Sequence, residues 1–390
     1  MVKPFSFARL PLICFGGGKI NALPGIISNY GKSVLLVTGA RSFMDSRRAG
    51  RLFDQFGSTG IVFQHLPVRN EPSPETVDET VLKFRGKEIN VVVSIGGGSV
   101  IDAGKSISAM LGKTGSVTEY LEVVGDKEHP GTKVPFVAVP TTAGTGSEAT
   151  KNAVISQLGK DGFKRSLRHD NLVPDAAVVD PELTLDCPPE ITAAAGMDCF
   201  TQLTEAYLST KSNDYTDALA LEGIRAIKRS LVRSCTHGDD IDARSDMSFA
   251  ALTSGICLAN AGLGAVHGLA GTIGAIYDIP HGVVCGTLMA VANEMTVREL
   301  RIISRVHPSL KKYAVLGRIF SGSRGKGDDY YIDSFIGFLH EITDRFDLPR
   351  LSGYGIGTED LAAISAKSDV KNNPAELPVG IMSEILARRL

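Results

Sequence analysis

The chain has 390 residues, with 41 Lys plus Arg against 43 Asp plus Glu and a formal charge of −2. That length exceeds what one hydrophobic core usually serves, so two domains with a cleft between them are expected. A composition of 43% hydrophobic and 22% charged residues excludes disorder, and the balanced charge excludes a nucleic-acid or other polyanion binder.

At the N-terminus, MVKPFSFARLPL carries an early proline and no long apolar run, so no secretory leader is expected there. No run of about twenty residues is both apolar and uncharged, so no membrane span is expected either. Short continuous apolar runs then appear at 34–38 (VLLVT), 91–95 (VVVSI), 136–139 (FVAV) and 176–179 (AAVV), each followed by Gly, Pro or Asp. Such runs suit parallel strands buried on both faces. Between them, 73–84 is amphipathic, with Ser73 as its N-cap and Glu75 and Asp78 in its opening turns. The fold class predicted for this half is α/β, a doubly wound, mostly parallel sheet. From Pro189 onward helical spacing takes over, as at 193–208, 217–232 and 373–390. The chain therefore reads as an α/β domain over 1–184 and an all-helical domain over 185–390, with an exposed loop at 321–329. Its six cysteines (Cys14, Cys187, Cys199, Cys235, Cys257 and Cys285) are scattered singly, the pattern of reduced thiols in a cytoplasmic protein.

The 42 glycines cluster where chemistry is expected. Gly96-Gly97-Gly98-Ser99 joins a strand to a helix over 100–111. Such a junction lets backbone approach a phosphate, while the helix N-terminus supplies N–H groups and a positive dipole end. The plain alternative is a tight turn. Gly104-Lys105-Ser106 suggests an ATP-binding loop, but position 99 is Ser where that motif needs Gly, and Lys105 falls a turn into the helix. A second polar turn, 140–148, places Thr141, Thr142, Thr145 and Ser147 among glycines at the end of the next strand. Two such turns at successive strand ends predict a dinucleotide crevice. The 34–38 strand ends in Thr38-Gly39-Ala40-Arg41-Ser42, with no carboxylate before Asp45 to bind an adenosine ribose. Arg41 and Ser42 suit a 2′-phosphate, which favours NADP over NAD; a surface arginine is the plain alternative.

In the helical half, Asp198 and Gln202 are four apart and share a face. His267 and His281 lie in apolar, glycine-rich surroundings. One carboxylate and two imidazoles are a donor set for Zn or Fe, with the Gln202 carbonyl as an added ligand. Buried structural histidines are the plain alternative.

These segments resemble the iron-containing (group III) alcohol dehydrogenase family from end to end. The resemblance is carried by FGGGKI (15–20), Asn70-Glu71-Pro72, SIGGGSVIDAGKSIS (94–108), VPTTAGTGSEAT (139–150), PDAAVVDPELT (174–184), AAAGMDCFTQLTEAY (193–207) and GLGAVHGLAGTIGAIYDIPHGVVCG (262–286). It implies a nucleotide-binding domain, a helical domain and an active site in the cleft between them. It assigns Gly97, Gly98 and Ser99 to the pyrophosphate, and Thr141, Thr142, Thr145 and Ser147 to the dinucleotide. Asn70 and Asp102 join the cofactor residues, and Asn152 and Lys164 line the route to the nicotinamide. It assigns Asp198, His267 and His281 to a catalytic metal. An acidic residue at the place of Gly39 goes with NAD in the family, which agrees with the NADP reading.

Two positions depart from the family pattern. Position 202 is Gln where a ligand His is usual, and Gly271 stands where a second His is common beside the substrate. The first weakens the metal site, and the second removes bulk and a proton relay, so a substrate larger than ethanol is expected. The reaction expected is reversible hydride transfer between NAD(P) and a small alcohol/aldehyde or keto-acid pair. Lys164 is expected there as a cation for a substrate carboxylate, with a surface role as the plain alternative, and a homodimer is the expected assembly. Alternatives on the same framework are a metal-independent reductase of the maleylacetate reductase type, a dehydroquinate-synthase-like lyase, and an inactive nucleotide-binding protein.

Overall fold

Each of the four apolar runs is flanked by further strands in a single parallel sheet. The computed structural model describes residues 4–159 and 162–390. Its strands are β1 (Leu12–Phe15), β2 (Ser33–Gly39), β3 (Val62–Val68), β4 (Val91–Gly96), β5 (Phe136–Pro140), β6 (Asn152–Gln157), β7 (Phe163–Arg168) and β8 (Ala176–Val179). Six of them form one sheet in the order β1-β8-β5-β4-β2-β3, with every pairing parallel. Helices α1 (Leu23–Ser28), α2 (Arg47–Thr59), α3 (Pro74–Phe84) and α4 (Gly98–Met110) cross between strands. Ser73 caps α3, accepting the Thr76 N–H at 3.2 Å. Apolar clusters line both sheet faces, as burial of whole strands requires.

From β2 the chain runs through α2 to β3 on one side, whereas from β4 it runs through α4 to β5 on the other. Beyond the carboxyl ends of β2 and β4 these opposed connections leave a crevice, the place where open α/β sheets bind ligands. Four strands escaped the sequence reading. The edge strand β1 is apolar (LICF) but only four residues long and only partly buried, and β3 alternates in exposure and contains Pro67, so it shows no continuous apolar run. The antiparallel pair β6–β7 is rich in polar and charged residues.

Beyond a short turn at Pro181–Thr184 the chain is helical: α5 (Pro189–Leu208), α6 (Asp214–Thr236), α7 (Ile241–Ala261), α8 (Ala265–Ile276), α9 (His281–Ile303), α10 (Pro308–Phe320), α11 (Asp328–Arg345), α12 (Leu361–Lys367) and α13 (Val379–Ala387). The deeply buried α5 packs on α6, α7 and α9. Helix was expected throughout 373–390, but it begins only at Val379, because Pro374 and Pro378 lack the amide hydrogen that a helix interior needs. The exposed loop closes slightly earlier than expected, at the start of α11. Among the described residues no single helix is long and apolar enough to cross a membrane.

Lys105, excluded as a phosphate ligand by its place in α4, is fully buried. Its ammonium donates to the carbonyl oxygens of Ser147 (2.8 Å), Thr150 (3.0 Å) and Asn152 (2.8 Å) and to Thr150 Oγ1 (3.0 Å). It thereby fixes the turn after β5 and the start of β6 onto α4. Burial pulls its pKa down to about 8 against the opposing charge of Asp102, so it remains largely charged at neutral pH. A Lys105→Met variant leaves these acceptors unpaired and should lose about 3 kcal/mol of stability. Urea denaturation checks this, and an unchanged midpoint would refute the role.

Candidate active site

Gly97 is the N-cap of α4 and no side chain caps that helix, so its first-turn N–H groups face the crevice. A Cβ on Gly96 would lie 2.6 Å from Val100 Cβ, and one on Gly98 would lie 2.7 Å from Thr145 Cγ2. Glycine is needed at both places because the chain approaches itself so closely. The two turns are tied together, since the Thr141 N–H donates to the Gly96 carbonyl at 2.9 Å. Gly97, Gly98, Ser99, Thr141, Thr142 and Thr145 are all partly exposed along this edge, with Ser147 buried behind them. Gly39 ends β2, directly beside β4, and Arg41 and Ser42 project beyond it, exposed. Asn70 is exposed just past the end of β3.

Three expected cofactor residues have other engagements. Asp102 is buried and its Oδ2 accepts the Val154 N–H at 3.0 Å, bracing β6 against α4, while its Oδ1 has no hydrogen-bond partner among the described residues. Asn152 holds Ser166 Oγ at 3.3 Å through its amide nitrogen, while its Oδ1 is buried with no partner among the described residues. Lys164, expected along the route to the nicotinamide and as a cation for a substrate carboxylate, is paired with Glu71, whose two carboxylate oxygens lie 2.7 and 2.6 Å from Nζ. The hairpin carries Lys164 over the segment that follows β3, and this brings the opposite charges together.

In the helical half, α5 supplies Asp198, α8 supplies His267 and α9 supplies His281, all converging on one point. Asp198 Oδ1 is 3.3 Å from His267 Nε2 and 3.8 Å from His281 Nε2, and Cys285 joins them from one turn further along α9. The Asp198 and His267 side chains are only 2% and 5% exposed, whereas His281 is 26% exposed, so the cluster opens to solvent beside His281. Burial pushes the Asp198 carboxyl up, but the neighbouring imidazoles of His281 and His267 more than offset this and keep it ionised. Burial also pulls His281 below its ordinary range, against the pull of Asp198, so at neutral pH it offers a lone pair.

Glu205, which the sequence reading missed, sets the tautomer of His267. Its Oε2 accepts from His267 Nδ1 at 2.6 Å, and its Oε1 accepts the Val266 N–H at 2.7 Å. With Nδ1 held by Glu205, His267 Nε2 is directed at Asp198 Oδ1 at 3.3 Å. Against the downward pull of burial, the carboxylates of Glu205 and Asp198 on either side hold the imidazole pKa well above its ordinary range. A proton sits on Nε2 when no metal is bound, and a divalent cation would replace it there with the same sign of charge between the same two buried groups. The donor set therefore fits a divalent metal. The available signal for Glu205 was its spacing, seven residues after Asp198 on one helix face.

Gln202, expected as a ligand, stands outside this ring. A carboxylate can only accept, so Gln202 turns its Nε2 to Asp198 Oδ2 at 3.3 Å and its carbonyl oxygen to the Ser254 hydroxyl at 3.1 Å. Gly271 lies one turn beyond His267 on α8, and a Cβ there would meet nothing within 4 Å. One turn further, Gly274 lies under Lys164, whose Cδ would be 3.3 Å from an added Cβ. The exposed side of the cluster thus continues into open space floored by glycine.

The two halves meet in contact. A Cβ on Gly144, in the turn after β5, would lie 2.9 Å from Ala195 Cβ on α5, one helical turn before Asp198. The family descriptions "Iron-containing alcohol dehydrogenase" and "Fe-containing alcohol dehydrogenase family, C-terminal" match residues 11–181 and 192–390. Alcohol dehydrogenase 4 of Saccharomyces cerevisiae is 34% identical over 363 residues, covering 91% of this chain and 89% of its own. The NAD-dependent methanol dehydrogenase of Bacillus methanolicus is 30% identical over 390 residues, covering 97% and 98%. The crystal structure of a 1,3-propanediol oxidoreductase superposes over all of both chains with a TM-score of 0.89 at 26% identity.

Glu205→Gln would leave the fold intact but weaken the hold on the His267 tautomer. Metal affinity should fall about 10- to 100-fold, as measured by competition with a chromophoric chelator. Unchanged affinity would contradict the orienting role.

Proposed function

This chain belongs to the iron-containing alcohol dehydrogenase family, and on that premise we propose that it interconverts neutral alcohols longer than ethanol with their aldehydes, using NADP(H). That it is a dehydrogenase of alcohols dependent on a nicotinamide dinucleotide follows from the family. The observation that carries the residue roles is the contact of Gly144 with Ala195, which sets the nucleotide turn against the helix bearing Asp198.

The N–H groups at Gly97, Gly98 and Ser99, left uncapped at the start of α4, would hold the pyrophosphate. Thr141, Thr142 and Thr145 line the next strand end, and the unpaired Asn152 Oδ1 is an acceptor kept for a ligand donor. Asp198, His267 and His281 would hold the metal, with Glu205 fixing the ring of His267. When bound, the dinucleotide supplies the hydride chemistry and the metal polarises the substrate oxygen. The convergence of Asp198, His267 and His281 on one buried point, with Asp198 Oδ1 lacking a hydrogen-bond partner among the described residues, favours this metal-assisted form over a metal-independent one.

The substrate class is argued from the cleft. Open space at Gly271 admits a chain that a larger residue would block. Glu71 already neutralises Lys164, so a carboxylate-bearing substrate must displace an existing ion pair. Neutral alcohols and aldehydes meet no such cost. For the cofactor, β2 ends without a carboxylate, and Arg41 and Ser42 lie exposed just beyond Gly39.

Zinc-loaded protein with NADPH should consume aldehydes with kcat/KM rising from ethanal to chains of several carbons, as read by NADPH absorbance. No turnover with either dinucleotide would overturn the reading. At Gly39 a Cβ would meet only Ser42 Oγ, at 3.9 Å, so the site tolerates a side chain. Gly39→Asp should shift the NADPH-to-NADH preference at least about tenfold toward NADH, since a carboxylate there binds the ribose and repels the 2′-phosphate. An unmoved ratio of kcat/KM values would place 2′-phosphate recognition elsewhere.

A further inference from the structure

Cys285 is buried with no exposed surface, and its Sγ lies 3.6 Å from His267 Nε2 and 3.6 Å from His281 Nε2. Together with Asp198 Oδ1, these four atoms lie within 4.8 Å of one another. We propose that the Cys285 thiolate, and not Gln202, is the fourth protein ligand of the metal, making the centre an Asp-His-His-Cys site suited to zinc. The proposal rests on the reading that this cluster holds the metal.

Three observations converge on it. The first is the spacing of the donors. For a tetrahedral zinc with bonds of about 2.3 Å to sulfur and about 2.0–2.2 Å to nitrogen and oxygen, the sulfur–nitrogen edges should be about 3.6 Å and the oxygen–nitrogen edges about 3.4 Å. The sulfur–nitrogen edges here are both 3.6 Å, and the oxygen–nitrogen edges are 3.3 and 3.8 Å. The second is the engagement of Gln202, whose carbonyl oxygen is held by Ser254 and whose amide points at Asp198, so no acceptor of Gln202 faces the ring.

The third is charge. With Asp198 as the one anion among the direct ligands, a divalent ion would keep one positive charge over its own coordination shell. A thiolate brings the direct ligands to minus two and cancels it, while the Glu205 carboxylate, one hydrogen bond further out, is held by the N–H groups of His267 and Val266. The binding step balances: the metal displaces the Cys285 thiol proton to solvent as the metal–sulfur bond forms. A thiolate among two imidazoles and a carboxylate is a borderline-to-soft set, which suits zinc better than it suits iron(II). Cys199, next to Asp198 in the sequence, is not in this cluster.

Cobalt(II) substitution of the full-length protein tests this directly, because a thiolate–cobalt bond gives a charge-transfer absorption in the near ultraviolet that oxygen and nitrogen ligands do not. The native chain should bind one cobalt and show that band. Cys285→Ser should lose the band and bind cobalt at least tenfold more weakly, with unchanged circular dichroism. Gln202→Ala should keep the band. Cobalt bound without the band, or a band that survives in Cys285→Ser, overturns the role of Cys285 while leaving the metal site standing. Failure of the native chain to bind cobalt at all overturns both.

Discussion

A carboxylate buried beside two imidazoles is stable only where the charges around it are arranged to hold it, and the active half of this molecule is organised around that constraint. Asp198 is 2% exposed in its side chain, yet it stays ionised because His267 and His281 face it from α8 and α9. Glu205, one face along α5, takes the proton side of His267 and leaves the other nitrogen directed at Asp198. Take away any of these helices and the remaining donors lose their common point. The depth of α5, packed among α6, α7 and α9, is therefore as much a requirement of the chemistry as of the fold.

The same logic of close approach governs the nucleotide half. Gly96, Gly98, Gly144 and Gly146 each sit where a Cβ would strike a neighbour: Val100, Thr145, Ala195 and the backbone of α7 respectively. The first two shape the crevice at the carboxyl ends of β2 and β4. The latter two press the next turn against α5 and α7, so the place for a dinucleotide and the place for a metal share a wall. Lys105 locks this arrangement from behind by filling the carbonyl oxygens of that turn.

Much of this was legible in the sequence, and the gaps have physical causes. The continuous apolar runs of β2, β4, β5 and β8 announced a parallel sheet because both faces of those strands are buried. β6 and β7 stayed hidden because their polar alternation suits a hairpin lying outside the sheet. Asp198, His267 and His281 were visible by residue type. Gln202 was read as a ligand from its face alone, whereas its amide nitrogen is turned to Asp198 Oδ2, because four-residue spacing fixes the face of a helix but not which end of an amide points inward. Glu205 and Cys285 lay in plain view, one or two turns along α5 and α9 from recognised residues, but nothing in spacing alone marks a carboxylate as an orienter or a lone thiol as a donor. The Lys164–Glu71 pair joins residues far apart in the chain, and only the folded hairpin brings them together.

The account turns on one claim, that the crevice at β4 and the cluster on α5, α8 and α9 serve a single reaction. A crystal structure of the chain grown with NADP⁺ and Zn²⁺, with diffraction recorded across the zinc absorption edge, measures it most directly. The account predicts one anomalous peak within bonding distance of Asp198 Oδ1, His267 Nε2 and His281 Nε2, the pyrophosphate on the N–H groups of Gly97 and Gly98, and the nicotinamide facing the peak across the open side at Gly271. Zinc bound elsewhere, or a nicotinamide directed away from these donors, would contradict it.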